Sequence, residues 1–331
     1  MGYLTIVLFS GITGKLFEKY SLKKLLLFGL ALWSISSLGH FFWYKLYILF
    51  PLKITMGIGG TFVFIGTEIL INRTSDSSNR GKNIGLYATF LSVGIAIGTL
   101  LIWTISIRPY VPFIIGSSIM CVAVLYLSFF LSDVEKPDNH NPVKSYPIKN
   151  MPILGLFTPL LYGIFESSTI VVIPIYGLRI GFSQIQVSYL LASFVIGGII
   201  LLYGISGFSD RYNKYKLILI LSLLLAVLLT VPTFSHGYFM LIGLFFVLGG
   251  IIPAFYTIGL NYMIESVDKK YISFANSYYI MMYGIGTVIG PLWGTSLIEL
   301  SLLNGYWILS AILCLMFFIV FYYVRKQYQN N

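Results

Sequence analysis

Eleven apolar runs, most of them about 20 residues long and joined by short polar stretches, make up nearly the whole 331-residue sequence. As a helix, each such run spans the roughly 30 Å hydrocarbon core of a bilayer, because every residue adds about 1.5 Å. The composition agrees: 57% of residues are apolar and 10% charged, against about 25% charged in a soluble domain. A soluble globular protein is excluded. A bilayer admits only structures that satisfy their own backbone amides, namely helices and closed barrels. Membrane barrel strands need about 10 residues of alternating polarity, and no such alternation runs through this sequence. The fold expected is therefore an all-α membrane bundle. Its spans lie at about 1–15, 24–43, 48–71, 84–106, 110–131, 151–176, 184–207, 216–234, 238–263, 273–297 and 303–324. Cys121 and Cys314 lie inside apolar runs, which leaves no disulfide framework and no thiolate metal site.

The formal charge of +10 is explained by where the cations lie. If successive loops face alternate sides, 17 of the 21 Lys and Arg residues fall on one side and four on the other. Short cytoplasmic loops retain Lys and Arg in this way, so the richer side is expected to face the cytoplasm. The linker and C-terminus follow it there, in a multi-pass protein of the plasma membrane. Cations spent on topology leave no basic face interleaved with aromatics, so no nucleic-acid partner is expected.

The sequence also repeats itself. Glu18-Lys19 and Asp210-Arg211 lie in similar loops 192 residues apart, as do the pairs Gly94/Gly98 and Gly286/Gly290. Gly59-Gly60 and Gly249-Gly250 are 190 apart. Two homologous halves are a common construction of secondary transporters. The expected domains are an incomplete half at 1–131, a polar linker at 132–150, a second half at 151–326 and a tail at 327–331. On this register the partner of Met151 would precede Met1 by about forty residues. One span and the start of the next are expected there.

These loops resemble the signature of the major facilitator superfamily, Gly-x-Leu-x-Asp-Arg-x-Gly-x-Arg/Lys, found between spans two and three of each six-helix half. Gly14 begins the first copy, with Glu18 for the acid, Lys19 for the arginine and Lys23 for the later base; Ser21 replaces a glycine. The second copy keeps Asp210 and Arg211 and has Asn213 at that glycine. Lys53-x-x-x-Gly57-x-Gly59 resembles the pattern of span four, and Asn79-Arg80-Gly81-Lys82 resembles the basic loop that follows it. Gly286-x-x-x-Gly290-Pro291 resembles the glycine-proline pattern of span eleven. The resemblance implies a pair of six-helix bundles and alternating access, with spans one, four, seven and ten lining a central cavity. It also implies that Gly14, Glu18, Lys19, Lys23, Arg80, Asp210 and Arg211 hold the cytoplasmic side shut. The alternative for the loop charges is a solvated set that only fixes topology. Gly94, Gly98, Gly286, Gly290 and Pro291 read as helix-packing positions, since small residues let membrane helices approach closely. The Gly-Pro signature of the extrusion subfamily is absent from the fifth span, which has Gly98-Thr99.

Two acids lie within spans, Glu68 and Glu166, where an ionisable group is costly and is kept mainly for function. Glu166 shares a helical face with Tyr162 and Thr169, and on the resemblance it lies on a substrate or proton pathway. The alternative is a protonated acid bonded to a neighbouring helix. Lys53, Gly57, Gly60, Phe64 and Glu68 fall within about 60° of one line on the same helix. Lys53 either snorkels to the surface or serves the cavity. Glu68 is either a gate residue or a proton site. Tyr256, Thr257 and Asn261 form a stripe near Pro253, and read as cavity wall or as glue between helices.

No catalytic motif appears: there is no His-Glu-x-x-His, no Gly-x-Ser-x-Gly and no phosphate-cradling Gly-Lys-Ser/Thr loop. The expected function is secondary transport of a small-molecule substrate, with proton coupling through Glu166 or Glu68. No cofactor or metal is expected, and the partners are membrane lipid, the solute and protons, for a monomer. The rival readings are an inactive truncated remnant and a membrane enzyme or scaffold that handles lipid-linked substrates.

Overall fold

The computed structural model describes residues 2–42, 46–101, 104, 107–132, 146–300 and 304–330. Among them are eleven α-helices: α1 (Gly2–Lys19), α2 (Leu22–Gly39), α3 (Leu46–Thr74), α4 (Arg80–Leu100), α5 (Val111–Phe130), α6 (Ile153–Arg179), α7 (Gln184–Gly207), α8 (Lys214–Phe234), α9 (Tyr238–Glu265), α10 (Ile272–Leu300) and α11 (Gly305–Asn330). Each expected span has its helix. Most of the expected linker, residues 133–145, lies outside the described residues, as does Asn331. The rest of the expected tail belongs to α11.

Local chemistry sets the helix starts. Ser21 caps α2 by accepting from the Lys24 amide, and Asn213 caps α8 by accepting from the Lys216 amide. The two caps are 192 residues apart and occupy the positions where the resembled pattern has glycine. A Ser or Asn there satisfies one of the orphan amides of the helix start, worth about 1 kcal/mol against alanine. Among the described residues, eight of these helices are long and apolar enough to cross a membrane, by length and composition. The other three, α1, α4 and α10, carry polar contacts described below.

The chain forms two compact units. Unit 1 comprises Met1–Ser75, Gly94–Pro152 and Ile264–Ile285; unit 2 comprises Asp76–Val93, Ile153–Met263 and Gly286–Asn331. The division cuts α4 between Val93 and Gly94 and α10 between Ile285 and Gly286. These two cuts are also 192 residues apart. Unit 1 is built on α3, whose Phe62, Ile65 and Ile69 pack with Phe17 of α1, Leu26 of α2 and Ile280 of α10. Its helices come close at glycines: a Cβ on Gly59 would stand 2.7 Å from the Gly29 carbonyl oxygen. In unit 2 the buried rings of Phe245, Tyr306 and Trp307 hold α9 and α11 together.

The packing glycines divide in a way the sequence did not announce. A Cβ on Gly286 would strike the Leu160 carbonyl of α6, and one on Gly290 would lie 2.6 Å from the Ile164 carbonyl. Gly94 and Gly98 are exposed, with nothing within 4 Å of an added Cβ. Gly286 and Gly290 thus lie where α10 meets α6, while among the described residues nothing stands against Gly94 and Gly98. Gly286→Ala should lower stability by about 1–3 kcal/mol through backbone displacement. Gly98→Ala should instead stabilise by up to about 1 kcal/mol, the helix-propensity difference. Thermal unfolding in detergent checks both; a loss in both variants would contradict the packing described.

His40 lies just beyond α2 and is 2% exposed. Its Nδ1–H donates to the Ser36 carbonyl at 2.7 Å, and its ring stacks on Phe113 at 4.8 Å.

Candidate functional site

Glu166 is the fourteenth of the 27 residues of α6. It is partly exposed. The Tyr162 hydroxyl, one turn earlier, donates to its Oε1 at 2.5 Å. The Tyr162 ring lies 5.0 Å from that of Tyr256 on α9. One carboxylate and two phenol rings thus share one place in unit 2. Thr169, expected on the same face, is fully buried and bonds the Tyr306 hydroxyl of α11 at 3.2 Å, beside the Ser168 bond at 2.8 Å.

Thr257 and Asn261 of the same expected stripe go elsewhere. The Thr257 hydroxyl shares a 2.5 Å bond with Ser206, and the Asn261 amide donates to Ser209 at 2.8 Å. Both are fully buried and join α9 to the end of α7 and the turn that follows it. Of the three, only Tyr256 lies with Glu166. The rest of the stripe is the glue between helices that small hydroxyls and amides make in a membrane.

Ser206 and Ser209 also receive the first half of α4. The Asp210 carboxylate accepts from the Gly81 amide at 2.6 Å and from the Lys82 amide at 2.9 Å. Those amides are among the orphan donors of the α4 start, and an acid there meets the positive end of the helix dipole. Gly81 and Gly85 make the approach possible: a Cβ on Gly85 would stand 2.6 Å from the Ser206 Cβ, and one on Gly81 would strike the Ser209 hydroxyl.

Unit 1 holds a matching crossing between α1, α3 and the first half of α10. A Cβ on Gly14 would strike the Ser277 hydroxyl. Gly14 and Ser206 are 192 residues apart, and so are Gly85 and Ser277; the glycine and the serine exchange helices between the two crossings. Glu18 lies 3.9 Å from Arg73, which donates to Ser273 at 3.2 Å. One turn along, Asn72 donates to Asn276 at 3.2 Å. A further turn brings Glu68, 1% exposed, within electrostatic reach of the buried Tyr279. The start of α10 is also tied to the described end of the linker, since the Tyr278 hydroxyl donates to the Tyr146 carbonyl and Tyr146 stacks on Tyr271 at 3.9 Å.

The remaining expected residues are spread out. Lys53 is exposed on α3. Gly60 and Phe64 on the same helix pack against Trp33 of α2. Lys23 donates to the Ser128 carbonyl at the end of α5, Lys19 sits over the Tyr20 ring, and Arg211 is exposed. Arg80 is the first residue of α4. Sequence reasoning missed Asn72, Arg73, Ser273, Asn276, Ser277, Ser206 and Ser209 as crossing residues. The signal was there: Ser273, Asn276 and Ser277 recur at helical spacing at the start of an otherwise apolar helix.

The crossings fall on the two loops that repeat, and the sequence around them matches a known family along its whole length. The family model of the Major Facilitator Superfamily covers residues 1–183 and 155–330. The chain belongs to this superfamily. It is therefore a multi-pass membrane transporter, of a family that sits in lipid and handles small molecules. It is 24% identical over 299 residues to the uncharacterized MFS-type transporter YfkF of Bacillus subtilis, which covers 88% of this chain and 76% of that one. An uncharacterized MFS-type transporter of Enterobacter is 20% identical over 292 residues, covering 87% and 75%. Among solved structures it resembles the fucose:proton symporter FucP of E. coli, with a TM-score of 0.77 at 15% identity over 98% of this chain and 88% of that one. The human organic anion transporter MFSD10 gives 0.78 at 12% identity, over 97% and 82%. At these identities the likeness is one of fold.

Asp210→Ala should free the α4 start at a cost of about 1–2 kcal/mol, the range of a lost charged cap. Asp210→Asn, which can still accept one amide, should lose less. Hydrogen exchange at Gly81 and Lys82 checks this, and unchanged protection in Asp210→Ala would contradict the cap.

Proposed function

We propose that this chain is a secondary transporter that moves a small solute by alternating access, with two homologous halves rocking about a site at Glu166. The observation that carries the reading is the reciprocal build of α4 and α10. Each helix has its first half in one unit and its second half in the other, with cuts 192 residues apart. Each first half is pinned by an acid from a repeated loop, Asp210 for α4 and Glu18 through Arg73 for α10.

In this reading the crossings are the gate on the cation-rich side, which faces the cytoplasm of a cell whose plasma membrane holds the protein, with the linker and C-terminus on that side. Residues 1–131 and 151–326 are its halves. Gly14, Lys19, Lys23, Arg80 and Arg211 support the gate around the two acids. A contact of one to a few kcal/mol made in one state alone biases a two-state equilibrium by about one to two orders of magnitude. That is strong enough to close the gate and weak enough to open it each cycle. Tyr162 and Tyr256 line the solute site beside Glu166, and protons couple through this carboxylate. Glu68, buried in the α10 crossing, belongs to the gate and is the second candidate for the proton.

The test is transport by the purified protein in liposomes with a pH-sensitive dye inside and an imposed pH gradient. Tetraphenylphosphonium, L-fucose and fluorescein serve as cationic, neutral and anionic probes; the last two are chosen because FucP is a fucose:proton symporter and MFSD10 an organic anion transporter. Gradient-dependent flux of one probe, reduced at least tenfold by Glu166→Gln, is the expected result. Flux of none of the three, or flux indifferent to Glu166→Gln, would contradict the reading.

A further inference from the structure

We propose that the turn before α2 and the turn before α8 each hold the headgroup of an anionic phospholipid, at two equivalent sites 192 residues apart. The inference goes beyond the transporter reading and does not depend on it.

The first argument is charge. Lys19, Tyr20 and Lys24 are exposed around the turn that starts α2, and Arg211, Tyr212 and Lys216 are exposed at the matching places around the turn that starts α8. The acid of each turn is drawn to the protein: Glu18 lies against Arg73, and Asp210 accepts from the Gly81 and Lys82 amides. The caps Ser21 and Asn213 are taken by helix amides. Each turn thus presents two cations and a phenol to its surroundings. In unit 1 the Lys19 ammonium already rests over the Tyr20 ring, 5.4 Å from its centroid.

The second argument is the apolar surface that runs away from each turn. At 100° per residue, Lys24, Phe28 and Ile35 lie within about 40° of one line on α2, and Lys216, Ile220 and Val227 do the same on α8. All six are exposed. A lysine at the head of such a stripe lays its stem on the apolar face and lifts its ammonium to headgroup level, where tyrosine also sits in a bilayer. A phospholipid has the matching build, a phosphate above two acyl chains.

Charge decides between headgroups. A phosphatidylglycerol brings one negative charge to two cations, whereas phosphatidylcholine brings a cation of its own that those side chains repel. The stripe decides between places. Lys149 and Lys269 of unit 1 are exposed too, but the residues that lead on from them, Met151 and Ile272, are buried, so no surface for acyl chains follows.

Native mass spectrometry of the purified protein, titrated with phosphatidylglycerol or with phosphatidylcholine of the same acyl chains, tests this. Phosphatidylglycerol should bind more tightly by about fivefold or more. Lys19→Gln/Lys24→Gln should remove one of two tight sites and Arg211→Gln/Lys216→Gln the other, while Lys149→Gln/Lys269→Gln keeps both. Lys19→Arg/Lys24→Arg should bind within about twofold of the parent; loss of a site in this charge-preserving variant would overturn the proposal even if the glutamine variant failed to fold. Glycerol phosphate in large excess should leave the lipid in place, and its displacing the lipid would mean a site for free phosphate instead. Equal binding of the two lipids, or an equal loss in Lys149→Gln/Lys269→Gln, would mean diffuse attraction to a charged surface and would overturn the proposal. Failure of the liposome flux assay leaves this measurement untouched.

Discussion

A carboxylate resting on the free amides of a helix start is the contact on which this architecture turns. In a bilayer, helix starts are the places where backbone donors are left over, and an acid from a neighbouring loop is the strongest acceptor available to them. Asp210 meets the Gly81 and Lys82 amides in this way. The α10 crossing solves the same problem with side chains, through Glu18, Arg73 and Ser273. Glycine facing serine lets the backbones come close enough in both crossings, with the two residue types on opposite helices. The apolar packing of α3 with α1 and α2, and of α9 with α7, is the rigid frame against which these smaller polar contacts operate.

The second constraint is the solitary ionisable residue at the centre of α6. Most of what surrounds Glu166 in unit 2 is apolar or has its hydrogen bonds committed to a neighbouring helix. Tyr162 bonds it, and the Tyr256 ring lies beside that of Tyr162. A carboxylate held in a membrane span at a cost of several kcal/mol is kept mainly for function, and in the transporter reading it marks the solute site.

The sequence made the fold legible because membrane helices need long apolar runs and short loops, and those can be counted. It also revealed the repeat, and with it Glu18 and Asp210, since acid-base pairs at a fixed offset survive in loops. The partners of those acids were harder to see. Asn72 bonds Asn276 across 204 residues, a distance that no local pattern spans. Gly94 and Gly98 match Gly286 and Gly290 in spacing, yet among the described residues only the second pair has a helix against it; spacing shows where a helix can approach and not whether one does. Thr257 follows Tyr256 directly and Asn261 lies one turn beyond Thr257, yet these two bond Ser206 and Ser209 at the end of α7 and just past it, because a difference of one residue turns a helical side chain by about 100°.

Two halves that rock as bodies must open the two crossings together. Single cysteines at Ser277 and at Ser206, in a chain with Cys121 and Cys314 replaced, report each crossing through the rate of labelling by a membrane-impermeant maleimide from the cation-rich side. Weakening one crossing with Asp210→Ala should speed labelling at Ser277 in the other by about the same factor as at Ser206, because coupling free energy is shared between sites that report one equilibrium. Faster labelling at Ser206 with no change at Ser277 would mean that the crossings open independently, and rocking of two halves would be wrong.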